Sequence, residues 1–305
     1  MTIFCILLSF QKTERLFEMK FLFLFFIKKF YDLEYKSGKI SRAQYVNLTK
    51  PYYREKATLF AKFHNLCALR RVSRYFKSRE KDAKSVVYTC LTGGYDELLV
   101  PDFISSDYDY VCFTDDKDMI AKGYIGPWKI EPLHFSELDN GKNNRWHKMH
   151  PHLLFPTYEY SVYIDSNVNF LTGKIFEYIN LLPEKCFIAL QRHAKRDCIY
   201  EEAEFVVDIG LDKKENVEPL VQKYRGEEFP EHFGLAENNI IYRKHNNKEC
   251  INLMEEWWDI FIKYSRRDQL SLFYLLWKNN TDFSYFSPKS FKKDHKNFRI
   301  YKHKG

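Results

Sequence analysis

The residues best able to do chemistry stand where apolar runs stop. The run Tyr160–Ile164 (YSVYI) ends in Asp165-Ser166-Asn167. Asp165 is the first polar residue past an expected strand, and the period of two places Asn167 on the same side. A carboxylate and an amide so placed offer oxygen ligands to Mg²⁺ or Mn²⁺, which are held by one or two carboxylates together with phosphate. Three residues alone serve equally well as a turn cap. The pattern recurs along the chain. Residues 85–92 close on Gly93-Gly94, Tyr108–Thr114 ends in Asp115-Asp116, and Phe187–Gln191 leads into His193. The polar clusters at 92–96, 114–116, 165–167 and 191–196 therefore all fall at strand ends, where open α/β sheets bind ligands. Arg145 and Lys148 lie about one turn apart and share a helical face. Ser265-Arg266-Arg267-Asp268 has the form of a capping box, with Asp268 at a helix start.

The elements that position these groups are legible from periodicity. Strands are expected at 85–92, 108–114, 128–133, 160–164, 187–191 and 240–243, and helical spacing covers 143–155. From Cys250 to Ile262, Cys250, Met254, Trp257, Trp258 and Phe261 share one helical face, and a second helix is expected over 267–277. Strands alternating with helices indicate an α/β sandwich. With 305 residues, 45% hydrophobic and 18% aromatic, the chain can bury a core and is not a disordered protein. Seven scattered cysteines without a CxxC exclude a disulfide framework or a zinc site and fit a reducing compartment.

The net charge of +7 conceals an asymmetry. Residues 1–84 hold 19 Lys and Arg against 7 Asp and Glu, net +12, whereas residues 85–305 are net −5. The apolar runs Ile3–Leu8 and Phe21–Ile27 are too short to span a bilayer. The segment 17–35, apolar with Lys flanks, suits a helix lying in a membrane interface, or equally one packed on the α/β domain that follows. Arg70, Arg71, Arg74, Lys77 and Arg79 follow as a basic stretch suited to anionic headgroups. An anionic membrane surface is thus an expected partner of residues 1–84. No nucleic-acid-binding motif accompanies the charge, so nucleic acid is not an expected partner.

Eight ordered blocks carry a resemblance: VVYTCLTGGYDEL, DYDYVCFTD, the segment 128–130, RWHKMHPH, YSVYIDSN, HAKRDCIYEEA, GLAENNIIYRKHN and RRDQLSLFY. Together they resemble the glycosyltransferase-like domain of the TOD1/MUCI70 family, in a bacterial-type member. The resemblance implies a GT-A-like α/β fold, a Rossmann-like mixed sheet flanked by helices, over about 85–290. Residues 1–84 become a basic, Phe-rich helical extension and 291–305 a basic tail. It further implies transfer of a sugar from a nucleoside-diphosphate sugar, expected to be UDP-linked, to a glycan or glycolipid acceptor. Such an enzyme would act in the cytoplasm, peripherally at the inner face of the membrane.

Carried over by position, the resemblance places Thr92, Gly93 and Tyr95 near the nucleotide and Asp115 on the base or ribose. Arg145 and Lys148 would face the diphosphate, with Arg196 close by. Asp165 and Asn167 would hold the Mn²⁺ or Mg²⁺, with His193 a third ligand or a binder of sugar hydroxyls. Glu237 and Asn238 become acceptor-side candidates. Asp268-Gln269 matches the pair that retaining GT-A families aim at the donor sugar, so retention is the expected outcome; an inverting enzyme would use Asp268 as general base. Asn167 departs from the usual DxD motif and brings no charge. That departure leaves open a non-catalytic relative, a glycan- or lipid-binding partner in a surface-polysaccharide assembly complex.

Overall fold

A computed structural model describes residues 23–301 and 303. The run Ile3–Leu8, the beginning of the 17–35 segment and most of the final residues lie outside the described residues. Contacts divide the chain into two compact units, Met1–Leu66 with His303–Gly305, and Cys67–Lys302.

In the first unit, helix α1 (23–36) turns through Gly38, at φ 74°, into α2 (Arg42–Cys67). Ser41 and Gln44 form a reciprocal capping box at the start of α2: each backbone N–H donates to the other's side-chain oxygen. One face of α1 packs on α2. Phe25 meets Tyr52 at 6.2 Å, Tyr35 stacks on Tyr45 at 4.9 Å, and the Asp32 carboxylate accepts from Lys28 and Tyr45. The other face carries Phe23, Phe26, Phe30 and Leu33, spaced three and four apart and 57 to 68% exposed.

The second unit begins with α3 (Leu69–Ser78) and is built on an eight-stranded sheet. Its strands are β1 (Ser85–Leu91), β2 (Tyr108–Thr114), β3 (Tyr124–Ile125), β4 (Trp128–Pro132), β5 (Tyr160–Ile164), β7 (Ile188–Arg192), β8 (Ala236–Arg243) and β9 (Ser284–Tyr285). The order is β3-β4-β2-β1-β5-β8-β7-β9. Strands β4, β2, β1 and β5 run parallel, and β8 is antiparallel to both β5 and β7. This is the expected GT-A-like mixed sheet. The central strands are buried on both faces, as parallel strands under helices must be. Between strands lie α4 (Lys117–Lys122), α5 (Asn140–Met149), α6 (Pro151–Leu154), α7 (Lys174–Asn180), α8 (Ile199–Asp208) and α9 (Lys214–Gly226). After β8 come α10 (Lys248–Lys263) and α11 (Leu272–Lys278). Val86, Tyr88 and Ile241 pack with Met149, Trp257 and Phe273 on one side of the sheet; Val87, Val162 and Ile240 pack with Ile175, Phe176 and Tyr75 on the other.

Several boundaries differ from those read in the sequence. The 143–155 helix is two, because Pro151 cannot donate and its ring disfavours helix at His150. The 267–277 helix is a 3-10 turn, Asp268–Leu270, followed by α11. The compact unit also extends beyond 85–290. Residues 298–300 form β10 (Phe298–Ile300), paired antiparallel with β6 (Val168–Phe170), and Phe291 stacks on Phe298 at 3.8 Å. Strands this short are specified by their long-range partners and leave no periodic signal.

Candidate active site

Strand β5 stops at Ile164, so Asp165 is the first residue to leave the ladder, its N–H still held by the Asn239 carbonyl at 2.9 Å. Its side chain is 27% exposed, and Oδ1 accepts from the Tyr163 hydroxyl at 2.9 Å. Burial, and then the Asp165 charge, push the Tyr163 phenol well above its ordinary range, so it remains a donor.

Below Asp165 lies an ion pair. Lys148 on α5 is 1% exposed, with Nζ 2.5 Å from Asp268 Oδ2, 4.0 Å from Asp165 Oδ1 and 5.0 Å over the Tyr163 ring. Arg145, one turn earlier, puts Nε 3.4 Å from the same Asp268 oxygen. Burial raises the Asp268 carboxyl, but Lys148 and Arg145 outweigh it and hold it down at about 2. The Lys148 carbonyl is fixed in turn, accepting from Tyr88 at 3.0 Å and Arg243 at 2.7 Å.

Two readings of the sequence change here. Lys148, expected to face the diphosphate, is buried, and its charge is committed to Asp268 and, at longer range, Asp165. Asp268 does not complete a capping box. Ser265 Oγ accepts from the Arg267 N–H and donates to Asp212, leaving the Asp268 carboxylate for the ion pair. The residue that sequence reasoning passed over is Arg267. It influences both Asp268 and Tyr95 electrostatically, its Nε is buried without a partner, and it forms no ion pair among the described residues. Its position directly before Asp268 was the available signal.

The loop after β1 approaches from the side. Gly93 has φ 62° and donates to both oxygens of Asp115, at 3.1 and 2.9 Å. Thr92 Oγ1 donates to the Asn140 carbonyl at 2.8 Å, and a Cβ on Gly93 would lie 2.2 Å from Asn140 Nδ2. Asp115 thereby ties the tip of β2 to this loop while staying exposed. Tyr95 is half exposed and feels Asp96, Arg145, Arg267 and Asp165. Thr92, Gly93, Tyr95, Asp115, Arg145, Lys148, Asp165 and Asp268 are thus held in one linked region at the strand ends.

Asn167 departs from it. Because β5 ended at Ile164, residues 165–167 form a turn and period two no longer applies. Asn167 Nδ2 donates to the Tyr301 carbonyl at 2.7 Å, and the Asn167 carbonyl accepts from the Tyr301 N–H at 2.9 Å, prolonging the β6–β10 ladder. Among the described residues no three His, Cys, Asp or Glu side chains gather as a protein-only metal cage.

A neighbouring ionic cluster holds three more of the expected residues. His193 Nδ1 accepts from the Arg196 N–H at 2.9 Å, and Nε2 lies 3.8 Å from both Glu202 and Glu237. Arg196 pairs with Glu202 at 2.5 Å, and Glu237 with Lys292 at 2.5 Å. Burial lowers the His193 pKa against the pull of Glu237 and Glu202. Asn238, left-handed at φ 53°, sits where the β7–β8 register jumps, and its Nδ2 donates to the Asp268 carbonyl at 3.3 Å. Its Oδ1, that of Asn239, and both amide atoms of Gln191 are buried without partners. Gln269 Nε2 donates to the Ala236 carbonyl at 3.1 Å, pinning the start of β8.

Residues 70–300 match the family described as TOD1/MUCI70, glycosyltransferase-like domain. The chain belongs to the TOD1/MUCI70 family. No curated protein sequence matches it. Among solved structures it is similar to the apo form of the bifunctional glycosyltransferase WbbM, at 14% identity and TM-score 0.41, over 68% of this chain and 39% of that one. It is similar also to apo mouse xyloside xylosyltransferase 1, at 11% identity and TM-score 0.38, covering 65% and 83%. A third is the glycosyltransferase GlyE of Streptococcus pneumoniae TIGR4, at 12% identity and TM-score 0.38, covering 66% and 44%. The match thus spans less than half of the WbbM and GlyE chains. The TOD1/MUCI70 match begins within α3 and reaches the end of β10, one residue short of the Tyr301 that grips Asn167.

Proposed function

We propose that this TOD1/MUCI70 protein transfers a sugar from a nucleoside-diphosphate sugar, UDP-linked, to a hydroxyl of a glycan or glycolipid. The observation that carries the reading is the partly exposed Asp165 at the end of β5, set over a buried Lys148–Asp268 pair that Arg145 contacts and Arg267 influences. Breaking the bond between sugar and diphosphate builds negative charge on the leaving phosphate. Fixed cations that need no reorganisation stabilise such charge best. Arg267, with no protein carboxylate of its own, and Arg145 are the groups to meet it.

Asp165, with an outward face, is the protein ligand for Mn²⁺ or Mg²⁺, a cation of this kind being completed by substrate phosphates. The cation would supply further charge neutralisation on the diphosphate. Tyr163 and Lys148 orient Asp165 from beneath. Asp268, at about 2, stays ionised and is a poor proton acceptor at neutral pH, so it acts as a fixed negative charge rather than a general base. That supports the retaining course over the inverting one. Tyr95 and the Thr92-Gly93 loop face the nucleotide, with Asp115 holding that loop. Asn238, Gln269 and the His193–Glu237 cluster border the sugar and acceptor side.

The exposed stripe of α1 and the +12 charge of residues 1–84 support attachment to an anionic membrane surface from the cytoplasmic side. No helix among the described residues is long and apolar enough to cross a membrane.

Thermal unfolding with UDP-sugars tests the assignment. A UDP-sugar with Mn²⁺ at a hundredfold excess over Kd adds ~2.7 kcal/mol of stability. Asp165→Ala removes the metal-dependent part of the shift and of turnover, whereas Arg267→Gln weakens donor binding about tenfold with or without metal. Full turnover in Asp165→Ala would end the assignment.

A further inference from the structure

A second concavity lies at the other end of the sheet. A groove of about 370 Å³ opens at the starts of β2, β1 and β5 and the end of β8. It is lined by the aromatic Tyr108, Tyr160 and Tyr242, the apolar Ile179, Leu182 and Pro183, and, as a partly exposed polar rim, Asp107, Asn180, Glu184 and Lys244. The strands are five to seven residues long, which puts the groove roughly 20 Å from Asp165.

Three features of this groove are those of a ligand site. Tyr108 and Tyr242 are 8% and 4% exposed, and their hydroxyls, like that of Tyr160, meet no partner among the described residues but are not buried, so they stand open to a ligand in the groove. The three phenols also sense one another: burial raises Tyr108 first, then Asp107 and Tyr160, and burial raises Tyr242 first, then Tyr160 and Tyr108. Tyr160 and Tyr242 are stacked at 5.9 Å, which fixes two of them.

The rim selects the chemistry. Asp107 and Glu184 are exposed carboxylates that accept hydrogen bonds and repel anions, and among the lining residues they outnumber the single cation, Lys244, which donates to the Glu184 carbonyl. A phosphate or a uronic acid is therefore disfavoured. A neutral sugar presents hydroxyls that both donate and accept, as phenols do, beside C–H faces for the apolar wall. We infer that this groove is a second binding site for a neutral saccharide, separate from the transfer site.

The test uses the full chain on an array of neutral and acidic glycans, without donor or metal. Neutral chains should be retained, and acidic ones not. Tyr108→Phe, Tyr160→Phe and Tyr242→Phe combined keep the rings and remove only partnerless hydroxyls. The variant should unfold at the unchanged temperature and bind at least about tenfold more weakly. Asn180→Ala, at the exposed rim, should weaken binding without touching the core. Asp165→Ala should bind as the unaltered chain does, so failure of the transfer assignment would leave this result standing. No retention of any neutral glycan, a preference for acidic ones, or undiminished binding by the triple variant would overturn the inference.

Discussion

At the scale of single residues, the Lys148–Asp268 pair decides most. Both side chains are almost wholly buried, so removing one partner strands the other's charge. Asp268→Leu should cost about 3–5 kcal/mol in urea unfolding, and adding Lys148→Met should recover much of it, since a well-packed apolar pair avoids the stranded ammonium. The pH dependence has a definite sign. The folded Asp268 carboxyl is depressed to about 2 from 3.8, so the stability it contributes is complete above the higher value and is lost as pH falls through the lower. That contribution is ~2 kcal/mol. The unaltered protein should lose it between about pH 4 and pH 2, and the double variant should show a flatter acid limb there. A parallel acid limb would refute it. None of this was legible in the sequence, because the partners stand 120 residues apart and a Ser-x-x-Asp spacing read locally as a cap. Arg267 was hidden for the same reason: its lack of a partner is a property of the packed structure.

At the scale of elements, the sequence spoke more clearly. The apolar runs that became β1, β2, β5, β7 and β8 were visible because a strand buried on both faces has few polar interruptions. Asp165 was found because it ends such a run. The reach of the argument stopped two residues later, when the turn redirected Asn167 towards β10. Gly93 shows how tightly the loop after β1 is built. With φ 62° and Asn140 Nδ2 only 2.2 Å from the site of a Cβ, Gly93→Ala strains the backbone and collides at once. It should lower stability by about 1–2 kcal/mol and release the Asp115 contact. Paired with Asn140→Ala, the collision is relieved and only the φ penalty of about 1 kcal/mol remains, measurable as a difference in urea midpoints. Equal losses in both would show that the collision is absorbed elsewhere.

At the scale of the whole molecule, charge is partitioned along the chain, and composition alone revealed it. The helical character of residues 23–36 was expected from the apolar and Lys pattern; its face of Phe23, Phe26, Phe30 and Leu33 needed coordinates, because only packing on α2 shows which rings are left over. Phe26→Asp with Phe30→Asp should abolish sedimentation with phosphatidylserine vesicles at low salt while leaving the unfolding of residues 67–302 unchanged. Binding that persists in the variant but vanishes at high salt would assign attachment to charge alone.

The pairing of Tyr301 with Asn167 has a temporal consequence. During synthesis β6 emerges well before β10, since Asn167 and Tyr301 lie 134 residues apart. The turn carrying Asp165 therefore stays unclasped until Tyr301 has been made. A product cut short before Tyr301 would hold the sheet without that clasp.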